Sequence, residues 1–160
     1  MSLYSYLEQK LNRPDLGLLA LRVVFGLVIC VFGVQKLMGG SAMFEQIGSS
    51  MAMFGISWQP KFWGLLCALA ESFGGLCILL GLFARPAALI LTFNMIVATA
   101  AMCKMTGAPD FSSVDALGGW LGKVAVPVYF LAAFLALTFC GPGKYAIHTK
   151  GGGGSKSSKE

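Results

Sequence analysis

Charged side chains are scarce in this chain: they make up 12% of its 160 residues, with 7 acidic groups against 12 Lys and Arg. Histidine occurs once, as His148, and the five cysteines, Cys30, Cys67, Cys77, Cys103 and Cys140, show no CxxC or related spacing. A haem needs axial ligands inside the protein and an iron–sulfur cluster needs grouped thiolates. The sequence therefore predicts no intrinsic haem or cluster. It also lacks a phosphate-cradling glycine loop, a nucleophile triad and a nucleotide motif. The formal charge of +5 is spread along the chain in the manner of a membrane-orientation signal and excludes a nucleic-acid partner.

What the chain has in quantity is apolar surface, 56% of residues being hydrophobic with a mean hydropathy of +0.74. Such a composition does not suit a small soluble domain. Leu16–Met38, Phe62–Phe83, Pro86–Met105 and Leu121–Cys140 are each long enough to cross about 30 Å of hydrocarbon. The expected fold is all-α: a transmembrane four-helix bundle with short interfacial helices, forming a single domain over residues 1–150 with the lipid bilayer as its surroundings. The first run follows Glu8, Lys10, Arg13 and Asp15 and has no small-residue cleavage site behind it, so it is expected to be retained as a helix. Gly151–Ser155 is a GGGGS linker followed by KSSKE, and residues 151–160 read as a linker and tag remnant.

An even number of spans puts both termini on one side, where Lys10, Arg13, Arg22, Arg85, Lys144 and Lys150 collect; Lys36, Lys61, Lys104 and Lys123 fall on the other, diluted by Glu45, Asp110 and Asp115. The positive-inside bias then predicts cytoplasmic termini in a bacterial-type inner membrane. Trp58, Trp63 and Trp120 mark the outer interface and Tyr4, Tyr6 and Tyr145 the inner one. Phe44, Ile47, Met51 and Phe54 recur at helical spacing and predict a short interfacial helix in the first outer connection; Leu3, Leu7 and Leu11 predict another at the N-terminus. Gly107–Gly119 reads as a polar outer loop, and Pro127 is expected to bend the last helix.

Glu71 lies inside an apolar run where a carboxylate costs several kcal/mol unless paired, hydrated or protonated. Its helical neighbours Gly64, Cys67, Ala68, Gly74, Gly75 and Ile78 are almost all small, which turns Glu71 toward other helices. Arg22, Gly26, Ile29, Gly33 and Lys36 form a second such stripe; Asn94 shares a face with Ala87, Ala98 and Ala101, and Tyr129 with Ala125, Ala132 and Ala136. At 1.5 Å per residue, Glu71 and Tyr129 lie about 12–14 Å below the outer boundary, and Arg22 and Asn94 about 9–12 Å above the inner one. The polar-core candidates are thus Arg22, Lys36, Glu71, Asn94, Tyr129 and Arg85, with Arg22 expected to pair with Glu71. They read either as a structural network that fixes helix register or as the lining of a site for a quinone head group, a proton or a small thiol-type substrate. Cys30, Cys67 and Cys103, with Met38, Met43, Met51, Met53, Met102 and Met105 on the same side, are the alternative: soft sulfur suits Cu(I), although most such residues simply pack.

Arg22-x3-Gly26, Gly33-Val-Gln-Lys36-Leu37, Glu71-x2-Gly74-Gly75-x3-Leu79-x-Gly81-x3-Arg85 and Gly141-Pro142-Gly143-Lys144, in that order, resemble the DoxX family of small four-helix membrane proteins over roughly Leu16 to His148. The chain departs from the family pattern at Phe32, where relatives often carry His, and at His148, where they carry Asp. The resemblance implies a membrane subunit or anchor of a redox or oxidative-stress complex. Relatives are described as the membrane part of thiosulfate:quinone oxidoreductase, as companions of terminal quinol oxidases, as partners of superoxide dismutase and a sulfurtransferase, and as passengers of metal-stress operons. It implies an accessory subunit with a protein partner and a quinone-contacting site, open to self-association. The alternatives are a scaffold or assembly protein, or a copper- or thiol-handling protein.

Overall fold

The computed structural model describes residues 13–147. The amphipathic segment expected at Leu3, Leu7 and Leu11, the tyrosines Tyr4 and Tyr6, His148 and the linker at 151–160 lie outside the described residues. Within them the chain is all-α: α1 (Pro14–Met38), α2 (Gly40–Gly48), a 3-10 helix (Ser49–Phe54), α3 (Pro60–Leu80), α4 (Ala84–Thr106) and α5 (Val114–Cys140). α1, α3, α4 and α5 are long and apolar enough to cross a membrane. Pro stands in the first turn of α1 and of α3, where its missing N–H costs no hydrogen bond.

The spans start or end a few residues from the apolar runs, and α5 departs furthest. It begins at Val114 rather than Leu121, so the expected outer loop is shorter. The reason is local: the Ala116 N–H donates to Ser113 Oγ at 3.1 Å, an N-cap that a hydropathy window does not see. Pro127 sits inside α5 without ending it. The expected interfacial helix is present as α2 and the 3-10 helix.

Neighbours run α1 against α3, α3 against α4 and α4 against α5, with α1 and α5 touching less and α1 and α4 not packed on each other. The α1–α3 seam is set by glycine. A methyl group on Gly75 would fall 2.6 Å from the Cys30 backbone nitrogen, and one on Gly26 would fall 2.8 Å from the Leu79 nitrogen. Gly33 in turn lies against the Ser72 and Glu71 backbone. Moving seven residues up α1 moves seven residues down α3, the register of an antiparallel pair. α2 is held to the start of α3 in the same way, Gly48 against Pro60 and Gly64 against Phe44.

α4 and α5 pack by size. Ala84, Ala87, Ala88 and Leu91 of α4 are buried together with Phe130, Phe134 and Leu137 of α5, and Phe25 of α1 meets Phe130 edge-on with ring centroids 5.3 Å apart. The small residues of α4 therefore receive the aromatic face of α5. This corrects the expected inward stripe on α5: Tyr129 is 64% exposed because the bulky face, not the alanine face, fills the bundle.

Gly75→Leu should lower the melting temperature in detergent by overfilling the α1–α3 seam, at a cost of about 1–3 kcal/mol. Gly122→Ala, where nothing lies within 4 Å, should leave it unchanged or raised; equal melting of the two variants would refute this seam.

Candidate functional site

Two polar clusters occupy the two ends of the α1–α3 seam. At the end carrying α2, Glu71 of α3 is 1% exposed. Its carboxylate accepts hydrogen bonds from Lys36 Nζ on both oxygens at 2.5 Å and from Asn94 Nδ2 at 2.8 Å. A carboxylate only accepts, which fixes the Asn94 amide with its nitrogen toward Glu71. Cys67, one turn before Glu71, brings its Sγ to 3.7 Å from Oε1 and to 3.9 Å from Lys36 Nζ. Three helices thus contribute one polar group each, and α3 adds the thiol.

At the opposite end Arg22 is 2% exposed and closes the C-terminus of α3. Its Nε donates to Ile78 O at 3.0 Å, Nη2 to Leu79 O at 3.2 Å and Nη1 to Pro142 O at 3.0 Å. The Ile147 N–H donates to Leu80 O, and the Gly81 N–H to Cys77 O and Ile78 O. All four terminal carbonyls of α3 are therefore satisfied. Gly81 adopts φ 77° in a space that a side chain would have to share with the Arg22 guanidinium. A cation at a helix C-terminus also sits favourably in the helix dipole. The end of α5 folds back to the start of α1, the Lys144 N–H donating to Asp15 Oδ1 at 3.0 Å.

This arrangement overturns the expected Arg22–Glu71 pairing. Gly33 faces Ser72 and Gly26 faces Leu79, so Lys36 lies near the level of Glu71 while Arg22 lies beyond Ile78. Fourteen residues of helix separate Arg22 from Lys36, about 21 Å along α1. Of the other candidates, Arg85 is exposed and packs its guanidinium near Gly141, and Tyr129 stands apart from the cluster. Cys30 contacts Gly75 through its backbone, Cys103 lies on α4, and the five thiols are free.

Above the Glu71 cluster a cavity of about 820 Å³ opens between α1, α3 and α4 and beneath α2 and the 3-10 helix. Its floor carries Lys36, Glu71, Asn94 and Cys67; its walls include Phe32, Trp63, Leu66, Ile90, Phe93 and Val97. α5 contributes no lining residue. Sequence reasoning did not place Trp63, Gln35 or Gln46 at the site. The spacing Trp63–Cys67–Glu71, two successive steps of four on α3, was the available signal for Trp63.

A buried ion pair returns little net stability against the cost of dehydrating both partners, whereas removing one partner costs about 3–5 kcal/mol. Glu71→Gln and Lys36→Gln should each destabilise the protein, and together by clearly less than their sum. Glu71→Gln and Arg22→Gln should add to within about 0.5 kcal/mol. Calorimetric or fluorescence melts of the two double-mutant cycles check this, and strong coupling of Arg22 to Glu71 would contradict the observed register.

No curated protein and no solved structure matches the chain. Residues 17–104 match the DoxX family model. That stretch holds α1 from its fourth residue, α2, the 3-10 helix, α3 and nearly all of α4, the elements that enclose the cavity. The four-span chain belongs to the DoxX family.

Proposed function

We propose that this protein is the membrane subunit of a redox or oxidative-stress complex and that its cavity receives the head group of a quinone. The observation that carries the reading is the polar floor beneath apolar walls. Beyond the two N–H groups that Glu71 takes, the third N–H of Lys36 reaches only the weak acceptor Cys67 Sγ, at 3.9 Å, and Asn94 keeps its second N–H and its Oδ1. A quinone carbonyl accepts from the ammonium or the amide; a quinol hydroxyl donates to Oδ1. The floor thus has a partner for each redox state, while Phe32, Ile90 and Phe93 match an apolar ring and tail. Ile90 and Phe93 line the cavity and are 56% and 62% exposed, so this wall is open to a lipid-soluble ligand from the outer surface of the bundle.

Reducing a quinone to a quinol takes two electrons and two protons. The sequence offers no ligand set for a haem or cluster, so the electrons come from a protein partner, and Glu71 with Lys36 lies beside the oxygen that takes up a proton. The positive-inside charge bias supports cytoplasmic termini in a bacterial-type inner membrane, an orientation in which the cavity lies in the outer half of the bilayer. A thiol introduced at Ser49, exposed on the 3-10 helix, should then react with a membrane-impermeant maleimide added to intact cells; protection there with labelling only after lysis would reverse the orientation.

A short-tailed ubiquinone or menaquinone analogue titrated into the detergent-purified protein should quench the fluorescence of Trp63, which lines the cavity. Asn94→Leu and Lys36→Gln should each weaken the quench by roughly tenfold, the worth of about 1.4 kcal/mol, with the fold verified by circular dichroism. Absence of saturable quenching in the parent, or equal affinity in both variants, would leave the polar floor a structural network and the protein a scaffold.

A further inference from the structure

Five methionines line the cavity, a feature that quinone binding does not require. Met43 of α2, Met51 and Met53 of the 3-10 helix, and Met102 and Met105 of α4 all line the one cavity. Five thioethers from three separate elements share that lining, and Met105 is 76% exposed, so this end of the cavity, its mouth, communicates with the surroundings. We propose that this mouth is a thioether site for a soft monovalent cation, Cu(I), distinct from the polar floor below it.

Ligand chemistry selects the ion. Among the described residues no group of three His, Cys, Asp or Glu side chains is placed to hold a metal, so the carboxylate and imidazole sets that suit Mg²⁺, Ca²⁺ and Zn²⁺ are not what lines this mouth. Thioether sulfur is neutral, soft and polarizable, and soft sulfur ligands favour Cu(I). Methionine is unbranched with three rotatable bonds, so side chains from α2, the 3-10 helix and α4 can draw in around one ion without moving the backbone.

Charge assigns the level at which the ion sits. The Lys36 ammonium is 3.9 Å from Cys67 Sγ and repels a cation at that thiol, which keeps Cys67 out of the ligand set. Met102 lies two turns beyond Asn94 on α4, about 12 Å farther from the floor. At the mouth the nearby cation is Lys104, which is exposed and has a long stem that carries its ammonium into solvent. Glu71 and Lys36 neutralise each other at the floor and leave the mouth to the thioethers.

Cu(I) held by ascorbate under anaerobic conditions and buffered by bicinchoninate is titrated into the detergent-purified protein. The parent should withdraw Cu(I) from the chelator with saturation, and Ag(I) should compete. Met51→Leu with Met53→Leu, and Met102→Leu with Met105→Leu, conserve volume and should preserve the melting temperature. Each pair should weaken Cu(I) binding by on the order of tenfold or more, the scale on which metal sites respond to loss of a supporting group. Cys67→Ser should bind as the parent does. X-ray absorption at the copper edge of the loaded parent should show a sulfur-only first shell. No withdrawal from the chelator by the parent, unchanged binding in both methionine pairs, or a nitrogen or oxygen first shell would each overturn the proposal and leave the methionines as an adaptable apolar wall. Loss of binding in Cys67→Ser with both methionine pairs intact would overturn it too. None of these readouts depends on quinone, so the two sites stand or fall separately.

Discussion

In hydrocarbon two apolar helix faces gain little by meeting, because lipid tails are as apolar as leucine. Close backbone approach has to supply what the hydrophobic effect supplies in water, and in this protein it comes from Gly26, Gly33 and Gly75 along the α1–α3 seam. Dispersion contacts are individually small but numerous at such short range. Once those glycines interlock, the register of α1 on α3 is fixed to a single residue. Every buried charge in the bundle then has its position dictated by that register.

One stripe of α1 consequently does two jobs. Its Arg22 end satisfies the carbonyls at the C-terminus of α3, and through Pro142 O it holds the segment after α5 against the same point. Backbone groups that end inside or beside a bilayer cannot rely on water, and an arginine with a planar fork of donors can serve three carbonyls at once. Its Lys36 end meets a carboxylate instead. The first arrangement is fully committed to structure; the second leaves an amide N–H, an amide oxygen and a lysine N–H held only by the weak acceptor Cys67 Sγ beside a cavity. That contrast in leftover hydrogen-bonding capacity separates the end of the bundle committed to structure from the end that holds the candidate site.

The cavity exists because the four spans do not close symmetrically. α5 packs on α4 through Phe130, Phe134 and Leu137 and lines none of the space above Glu71, while α2 and the 3-10 helix roof it. The roof is tied at Gly48 and Gly64, where a methyl group would collide with backbone, so the crossing is as constrained as the main seam. The methionine-bearing part of the roof lies beyond that tie and rests on flexible side chains.

The sequence by itself determined that the chain crosses a membrane four times, where the short interfacial helix lies, which stripes of α1 and α3 carry small residues, and that Glu71 is buried. These follow from composition and helical period, both local properties. The partner of Glu71 did not follow. Arg22 and Lys36 occupy the same stripe, and depth estimates that treat each helix as independent cannot tell which one meets Glu71; interlocking of Gly33 with Ser72 decides for Lys36. Nor did the orientation of α5 follow: the alanine stripe with Tyr129 was expected inside, whereas the small face of α4 selects Phe130, Phe134 and Leu137. The start of α5 at Val114 was legible in Ser113 and Asp115 but outweighed by hydropathy. Tertiary structure alone brought Asn94 and five methionines to the cavity beside Trp63, Cys67 and Glu71 of α3, because they come from separate elements whose mutual placement is a matter of packing and not of spacing along the chain.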